Sequence, residues 1–494
     1  MLFIVKGIQD RARENGGAPA LITGSRSLSY AQLLETIARI AHFFLRSGIP
    51  RGSKLFINIA DADLRLIVCV AAMHCRLVPF ILLDIGDLGD EVDYDYVVGA
   101  PILQHNELAP DIVIEPAALA SSADSLLPDV GDGADDDLLF VSATTGTTGR
   151  RKLVAETWRT YRNRVCGRGD IPGITDPRMP EALRWSSRDR LLYTMGDVTS
   201  AGAGMALCTL GAGAAHIRTS RDAHEALRLI NTYGVNWLVT TPGTLAELMN
   251  GMDRHGVRCE SVKRIVVGGS LFEPALVERI AAHFEADLFV AYGSTEVGLV
   301  SVGKITPETY RFGDAGDVAP GLQLLSAGSR AEPAPLVIVR RKDHHLPYYV
   351  GGRIVPSDDQ FYTMPDLGYA EGTRIFVIGR DDEVYSYNGN KTAFSLIDRA
   401  LRRFPGVADV AVVSGNAIGD PLGLVIGVLA AADVELRPLH ARVLEVAEAQ
   451  GAGDSIRLFR LEAIPRNAFG KTDRGGVVAA YLRSTAQPKV GEPA

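Results

Sequence analysis

The chain has 494 residues, enough for roughly two to four folding units with a sizeable buried core. A net charge of −8 excludes general nucleic-acid binding, which needs a basic surface to displace phosphate counterions. Five cysteines (Cys69, Cys75, Cys166, Cys208 and Cys259) are scattered and lack CxxC spacing, which predicts buried thiols in a reducing compartment, not a disulfide frame or zinc site. The apolar start Met1–Val5 is too short for a secretory segment or a membrane span, so no membrane partner and a cytoplasmic location are expected.

In chain order, Ser29-Tyr-Ala-Gln32 reads as a capping box opening a helix. Leu33, Ile37, Ile40, Ala41 and Phe44 then repeat at helical spacing, and Gly48 can close the element. Lys54–Ile59 reads as a buried strand, followed by a helix over 62–75 and a strand over 78–83. The stretch 121–137, rich in Asp, Ser, Gly and Pro, predicts a surface connection into a strand at Leu138–Val141. Helix and strand alternate again over 223–239, 244–267 and 274–290, which argues for α/β layers with largely parallel strands. Short β runs and turn residues over 318–353 predict a small β subdomain. From residue 382 the texture changes to a compact α+β unit: a helix over 393–404, strands over 408–413 and 423–430, and a helix over 439–449. The fold expected is therefore α/β, with a large N-terminal domain of layered α/β subdomains plus a small β subdomain (1–381), followed by a small α+β domain (382–494). The polar tail after Arg483 is expected to be disordered.

The sharpest motif is Ala143-Thr-Thr-Gly-Thr-Thr-Gly-Arg-Arg-Lys152, directly after an apolar strand. Gly146 and Gly149 allow tight turns that expose backbone amides. The hydroxyls of Thr144, Thr145, Thr147 and Thr148 and the charge of Lys152 add to a loop suited to a polyphosphate. It is not a Walker A loop, since no Gly-Lys-Ser/Thr follows at the required offset. By itself it fits a Thr/Gly-rich surface loop equally well.

This loop resembles the phosphate loop of the adenylate-forming superfamily: acyl- and aryl-CoA synthetases, adenylation domains of nonribosomal peptide synthetases, and luciferases. Thr145 and Arg151 stand where the family pattern has Ser and Pro. Further motifs follow in the family's order, spanning residues 20 to 475. Ala291-Tyr-Gly-Ser-Thr-Glu296 is similar to the Tyr-Gly-x-Thr-Glu motif. The resemblance implies adenine stacking for Tyr292, beside Gly293, phosphate contact for Thr295 and Mg²⁺ binding for Glu296. Gly268-Gly269-Ser270 matches the adenine-contacting turn, and Gly313-Asp-Ala-Gly316 a structural β segment. Asp366 takes the place of the ribose-binding carboxylate, with Met364 and Pro365 replacing the usual Thr and Gly. Gly379-Arg380-Asp381-Asp382 is similar to the hinge segment, which implies ribose contact for Arg380 and a pivot at Asp382. Asn388-Gly389-Asn390-Lys391 resembles the loop that faces the site during thioester formation. Ile464-Pro-Arg-Asn-Ala-Phe-Gly-Lys471-Thr-Asp-Arg474 resembles the motif of the adenylation lysine, which implies that role for Lys471 and a mobile C-terminal domain carrying it.

The resemblance implies an AMP-forming acid–thiol ligase that uses ATP and Mg²⁺, with a small-molecule carboxylic acid as substrate. The acceptor is CoA or the phosphopantetheine arm of a separate carrier protein; no Gly-Gly-Asp/His-Ser carrier motif follows Lys471. The acyl pocket implied by relatives takes in Gly202, Gly268 and the segment around Asp197, whose many small residues leave room for a long or flat acyl group. Asp197 has two readings: in the pocket it would bind an amino acid's ammonium, and before Ser/Thr it would cap a helix. A stand-alone amino-acid-adenylating enzyme, a catalytically degenerate nucleotide-binding relative and an ADP-forming phosphotransferase are the alternatives.

Overall fold

The computed structural model describes residues 3–24, 26–81, 93–101, 108–115, 125–131, 133–143, 153–166, 179, 183–195, 200–219, 222–330, 332–340, 348–350, 353–355, 361–387, 390–420, 423–449, 452, 455–466 and 472–486. Backbone contacts divide the chain into two units. The first comprises Met1–Arg311, Ala315–Gln323 and Val339–Tyr362; the second comprises Phe312–Asp314, Leu324–Ile338 and Thr363–Ala494.

Two sheets build the first unit. One runs in the order Arg26–Ser29, Pro19–Thr23, Ala215–Arg218, Arg190–Tyr193, Trp237–Thr240, Arg264–Gly268, Asp287–Ser294, Gly298–Ile305 and Asp314–Val318. From Pro19–Thr23 to Asp287–Ser294 its neighbours pair in parallel. The strands are short, and most are buried on both faces, as the strong apolar runs require. Alternate residues separate the two faces. Leu192, Leu238, Ile265, Val267 and Val290 pack with the helices Ala223–Tyr233, Pro242–His255 and Pro274–His283. Tyr193, Trp237, Val239, Val266 and Phe289 form a separate cluster.

The second sheet is ordered Arg353–Val355, Tyr348–Val350, Leu153–Thr157, Leu138–Ala143, Val78–Ile81, Lys54–Asn58, Tyr96–Gly99 and Ile112–Val113. Its largest cluster joins strand residues Leu55, Ile57 and Ile81 to the helices Phe3–Asn15, Tyr30–Arg46, Ala62–His74 and Ser200–Gly211. The capping box expected at Ser29 forms, with reciprocal bonds between Ser29 and Gln32. Asp61 caps the next helix through the amides of Asp63 and Leu64. The β-rich stretch 318–355 feeds more than one sheet: Tyr348–Val350 pairs with Leu153–Thr157 beside the Thr/Gly-rich segment.

In the second unit, Leu322–Ser326, Ala334–Arg340, Phe361–Glu371 and Arg374–Arg380 are consecutive neighbours. After them come a hairpin (Val384–Tyr387 with Asn390–Ala393), the helix Phe394–Arg402 and a three-stranded sheet of Val407–Ser414, Leu424–Ala430 and Ile456–Arg460. Ile397, Leu401, Val410, Ile426, Val428, Leu439 and Val443 fill one face of that sheet. Val413, Val425, Phe459, Ile464 and Val477 fill the other. The helix Arg474–Ala486 covers this second face and corrects the expectation of disorder directly after Arg483. Two glycines at its start and the lack of a clean apolar stripe hid it in the sequence.

Candidate active site

Parallel strands leave their loops at their carboxyl ends, which is where open α/β sheets take ligands. In the first unit, Arg264–Gly268 and Asp287–Ser294 end side by side, with Gly268 paired to Ala291. A Cβ on Gly268 would lie 2.6 Å from the Ala291 carbonyl oxygen, so only glycine permits this approach. Gly269 follows at φ +89°, and a Cβ there would lie 3.7 Å from Thr241 Cγ2 and 3.8 Å from Met195 Sδ. These two side chains stand at the ends of the neighbouring strands, so the glycine turn forms a wall of the same strand-end rim.

The strand Asp287–Ser294 then turns back into Gly298–Ile305, with a register shift at Tyr292/Gly293. Ser294 Oγ accepts from the Val297 amide at 3.2 Å and closes the turn. Tyr292, Thr295 and Glu296 are each half-buried there. The fold thus gathers Gly268, Gly269, Tyr292, Gly293, Thr295 and Glu296 at two adjacent strand ends. Gly202 lies buried in the first turn of the helix Ser200–Gly211. Met205 of that helix packs in the same cluster as Ala291 and Met195. Through Ala203, Ala206 and Leu207 the same helix joins Arg65, Cys69 and Arg218 in lining a cleft.

Thr144, Thr145, Gly146, Thr147, Thr148, Gly149, Lys152, Asp197, Gly389 and Lys471 lie outside the described residues, as does the side chain of Lys391. Their flanks are described. Ala143 pairs with Leu153, so the segment 144–152 departs from and returns to adjacent points of one sheet. Lys391 pairs with Ser386 across the hairpin. Arg466 and Thr472 form an isolated antiparallel bridge at the base of the segment holding Lys471.

In the second unit, Asp366 stands directly opposite Arg380 in the ladder of Phe361–Glu371 with Arg374–Arg380. The replacements before Asp366 are absorbed by the strand. Met364 is buried, and the Pro365 carbonyl accepts from the Asp381 amide at 2.9 Å. Proline is tolerated because its ladder role here is that of an acceptor. Arg380 Nε donates to Asp382 Oδ1 at 2.9 Å and lies 3.5 Å from Glu383 Oε1. Burial opposes the Arg380 charge, but Asp382, Asp366 and Glu383 more than offset it and hold the guanidinium above its ordinary pKa. Burial pushes the Glu383 carboxyl up, against the pull of Arg474, whose Nη2 lies 2.5 Å from Glu383 Oε1. Glu383 belongs to none of the motifs legible in the sequence. The available signal was a third acidic residue after Asp381-Asp382, together with the terminal arginine of the Lys471 motif.

Among the described residues no group of three His, Cys, Asp or Glu side chains forms a protein-only metal cage. A single half-buried carboxylate such as Glu296 suits Mg²⁺, which keeps waters and shares its coordination with phosphate oxygens. No helix among the described residues is long and apolar enough to cross a membrane.

Comparison with known proteins gives the same architecture. Klebsiella oxytoca NpsA, solved in complex with 3-hydroxyanthranilyl-AMSN, matches at a TM-score of 0.76 and 18% identity, over 97% of this chain and 99% of that one. The Bacillus subtilis o-succinylbenzoate coenzyme A synthetase MenE, solved with ATP and a magnesium ion, matches at 0.73 and 17%, over 96% and 99%. At these identities the likeness shows the fold, that of an adenylate-forming enzyme. A family profile described as AMP-binding enzyme matches residues 8–327, and the chain belongs to that family of adenylate-forming ligases. In sequence it is 24% identical to the nonribosomal peptide synthetase fmqA of Aspergillus fumigatus, over 80% of this chain. It spans only 10%, 18% and 7% of the length of three large curated synthetases it matches.

Proposed function

We propose that this chain activates a small carboxylic acid with ATP, forming an acyl-adenylate and pyrophosphate, and then passes the acyl group to a thiol. A carboxylate is a poor acyl donor because its leaving group would be oxide; adenylation makes AMP the leaving group. The observation that carries this reading is the convergence of Gly268, Gly269, Tyr292, Thr295 and Glu296 on two adjacent strand ends. There the glycine turn admits a flat base, Tyr292 offers it a face, and Thr295 and Glu296 sit one turn away for phosphate and metal. Mg²⁺ on Glu296 would supply positive charge to the polyphosphate.

The remaining roles follow the resemblance. Thr144, Thr145, Gly146, Thr147, Thr148, Gly149 and Lys152 cradle the phosphates. Asp366 and Arg380 hold the ribose, the carboxylate accepting from its hydroxyls. Lys471 bridges the acid's carboxylate and the α-phosphate. Charge grows on the phosphoryl oxygens during transfer, so most of the catalysis is positional and electrostatic. In the second half-reaction the domain from residue 382 onward turns about Asp382 and brings Gly389 and Lys391 into play. The acceptor thiol is that of CoA or of a separate carrier protein. Likeness in fold to the coenzyme A synthetase MenE supports CoA, and likeness in sequence to the nonribosomal peptide synthetase fmqA leaves the carrier protein as the alternative. Gly202 and Gly268 border the acyl pocket, and Asp197 separates amino-acid from neutral acyl substrates.

Carboxylate-dependent exchange of labelled pyrophosphate into ATP tests this reading, run with Mg²⁺ across fatty, aryl and amino acids. Exchange with one acid class, reduced about 10²–10³-fold in Lys471→Ala, is the expected outcome. Tight ATP binding without exchange would leave only a nucleotide-binding relative, and release of ADP would point to a phosphotransferase.

A further inference from the structure

The described residues on either side of the segment that holds Lys471, Arg466 and Arg474, form ion pairs with other elements of their own unit. On the entering side, Arg466 Nη2 lies 2.6 Å from Asp409 Oδ2, on the strand Val407–Ser414. Asp409 is itself held by Arg402 Nη1 at 2.5 Å and by the Val410 amide at 2.8 Å. On the leaving side, Arg474 Nη2 lies 2.5 Å from Glu383 Oε1, beside the hinge segment. The Asp473 amide donates to the Pro465 carbonyl at 2.8 Å, and Arg466 bridges Thr472, so the base between these anchors is closed. Glu383 is fixed in turn: its amide donates to the Arg380 carbonyl at 3.1 Å, and its carbonyl accepts from the Phe394 amide at 2.8 Å. Its side chain is only 18% exposed and that of Arg474 25%, so solvent screens the pair incompletely.

From this geometry we infer that Glu383 is a positioning residue for Lys471, tying the base of the lysine segment to the hinge through Arg474 so that the two move as one body. The inference rests on the adenylation reading above. Its physical content is that the ammonium of a flexible side chain reaches a reacting phosphate reproducibly only if its loop base is fixed, and a misplacement of about 1 Å can cost orders of magnitude in rate. Asp409 anchors one end to the sheet core, and Glu383 anchors the other to the segment that must turn.

The test is a double-mutant cycle between Glu383→Ala and Lys471→Ala, read as single-turnover adenylate formation, with hydrogen exchange over 455–483 measured beside it. Alone, Glu383→Ala, assayed at saturating ATP because Glu383 also lies 3.5 Å from Arg380, is expected to lower the adenylation rate about tenfold, leave KM for the acid within about twofold, and speed amide exchange in 466–474. Glu383→Gln, which keeps a hydrogen bond to Arg474 and is the safer variant for folding, should give a smaller loss. In the Lys471→Ala background Glu383→Ala should cost nothing further, because its effect passes through the lysine. Losses that multiply in that background, or unchanged exchange in 466–474, would overturn the inference. A wild-type protein that forms no adenylate with any acid defeats the adenylation reading instead. The hydrogen-exchange arm still decides whether Glu383 fixes the segment.

Discussion

At the scale of single residues, Asp366 keeps its place in the ladder despite the departures from the motif beside it. Met364 enters the core and Pro365 keeps only its acceptor, so Asp366 remains in register opposite Arg380. A carboxylate accepting from two hydroxyls makes charge-assisted bonds worth about 1.5–3 kcal/mol each. Asp366→Ala is therefore expected to raise KM for ATP by about 10- to 100-fold in the exchange assay, with KM for the acid unchanged. An unaltered KM for ATP would remove Asp366 from the ribose site. Candidate residues of this kind are legible in the sequence because a glycine turn, a Tyr-Gly-x-Thr-Glu run and a lysine in its flanking pattern, each only moderately specific alone, follow one another in the family's order. The sequence did not expose Glu383, whose meaning depends on an arginine far along the chain that only folding brings within 2.5 Å.

The elements were legible wherever local physics decides them. The capping box at Ser29, the buried helix after Asp61 and the alternation of helix and strand over 223–290 all follow from caps and periodicity. The strand Ile456–Arg460 and the helix Arg474–Ala486 were not, since their burial comes from packing against the sheet of Val407–Ser414 and Leu424–Ala430. One ion pair anchors an element in a way no periodicity reveals. Arg374 binds Asp314 through Nε and Nη2, at 3.0 and 2.8 Å, and the Asp314 side chain is 1% exposed. Removing one partner of a buried pair strands the other charge at a cost of about 3–5 kcal/mol. Arg374→Ala should thus lose stability of that order in urea unfolding, while Arg374→Lys, which keeps a charge but not the two-point contact, should lose less. A loss below about 1 kcal/mol would mean that the carboxylate finds water or another donor.

On the scale of the whole molecule, the proposed function requires two chemically different half-reactions to share one nucleotide site, and the proposed turn about Asp382 would let one chain serve both. Asp382→Pro removes freedom at the pivot. The expected outcome is loss of one half-reaction with the other retained, measured separately as pyrophosphate exchange and as thioester formation from supplied acyl-adenylate. Equal loss of both in a folded protein would rule out a simple hinge.

By itself the sequence determined the α/β class, the family and the order of the motifs, because patterning and short motifs are local and carry their chemistry in residue type. Tertiary structure alone decided which motif residues share a strand-end rim, that Asp366 stands opposite Arg380, and that Arg466 and Arg474, on either side of the lysine segment, pair with Asp409 and Glu383. These are pairings between distant segments. They are set by sheet register and burial, which no window of sequence contains.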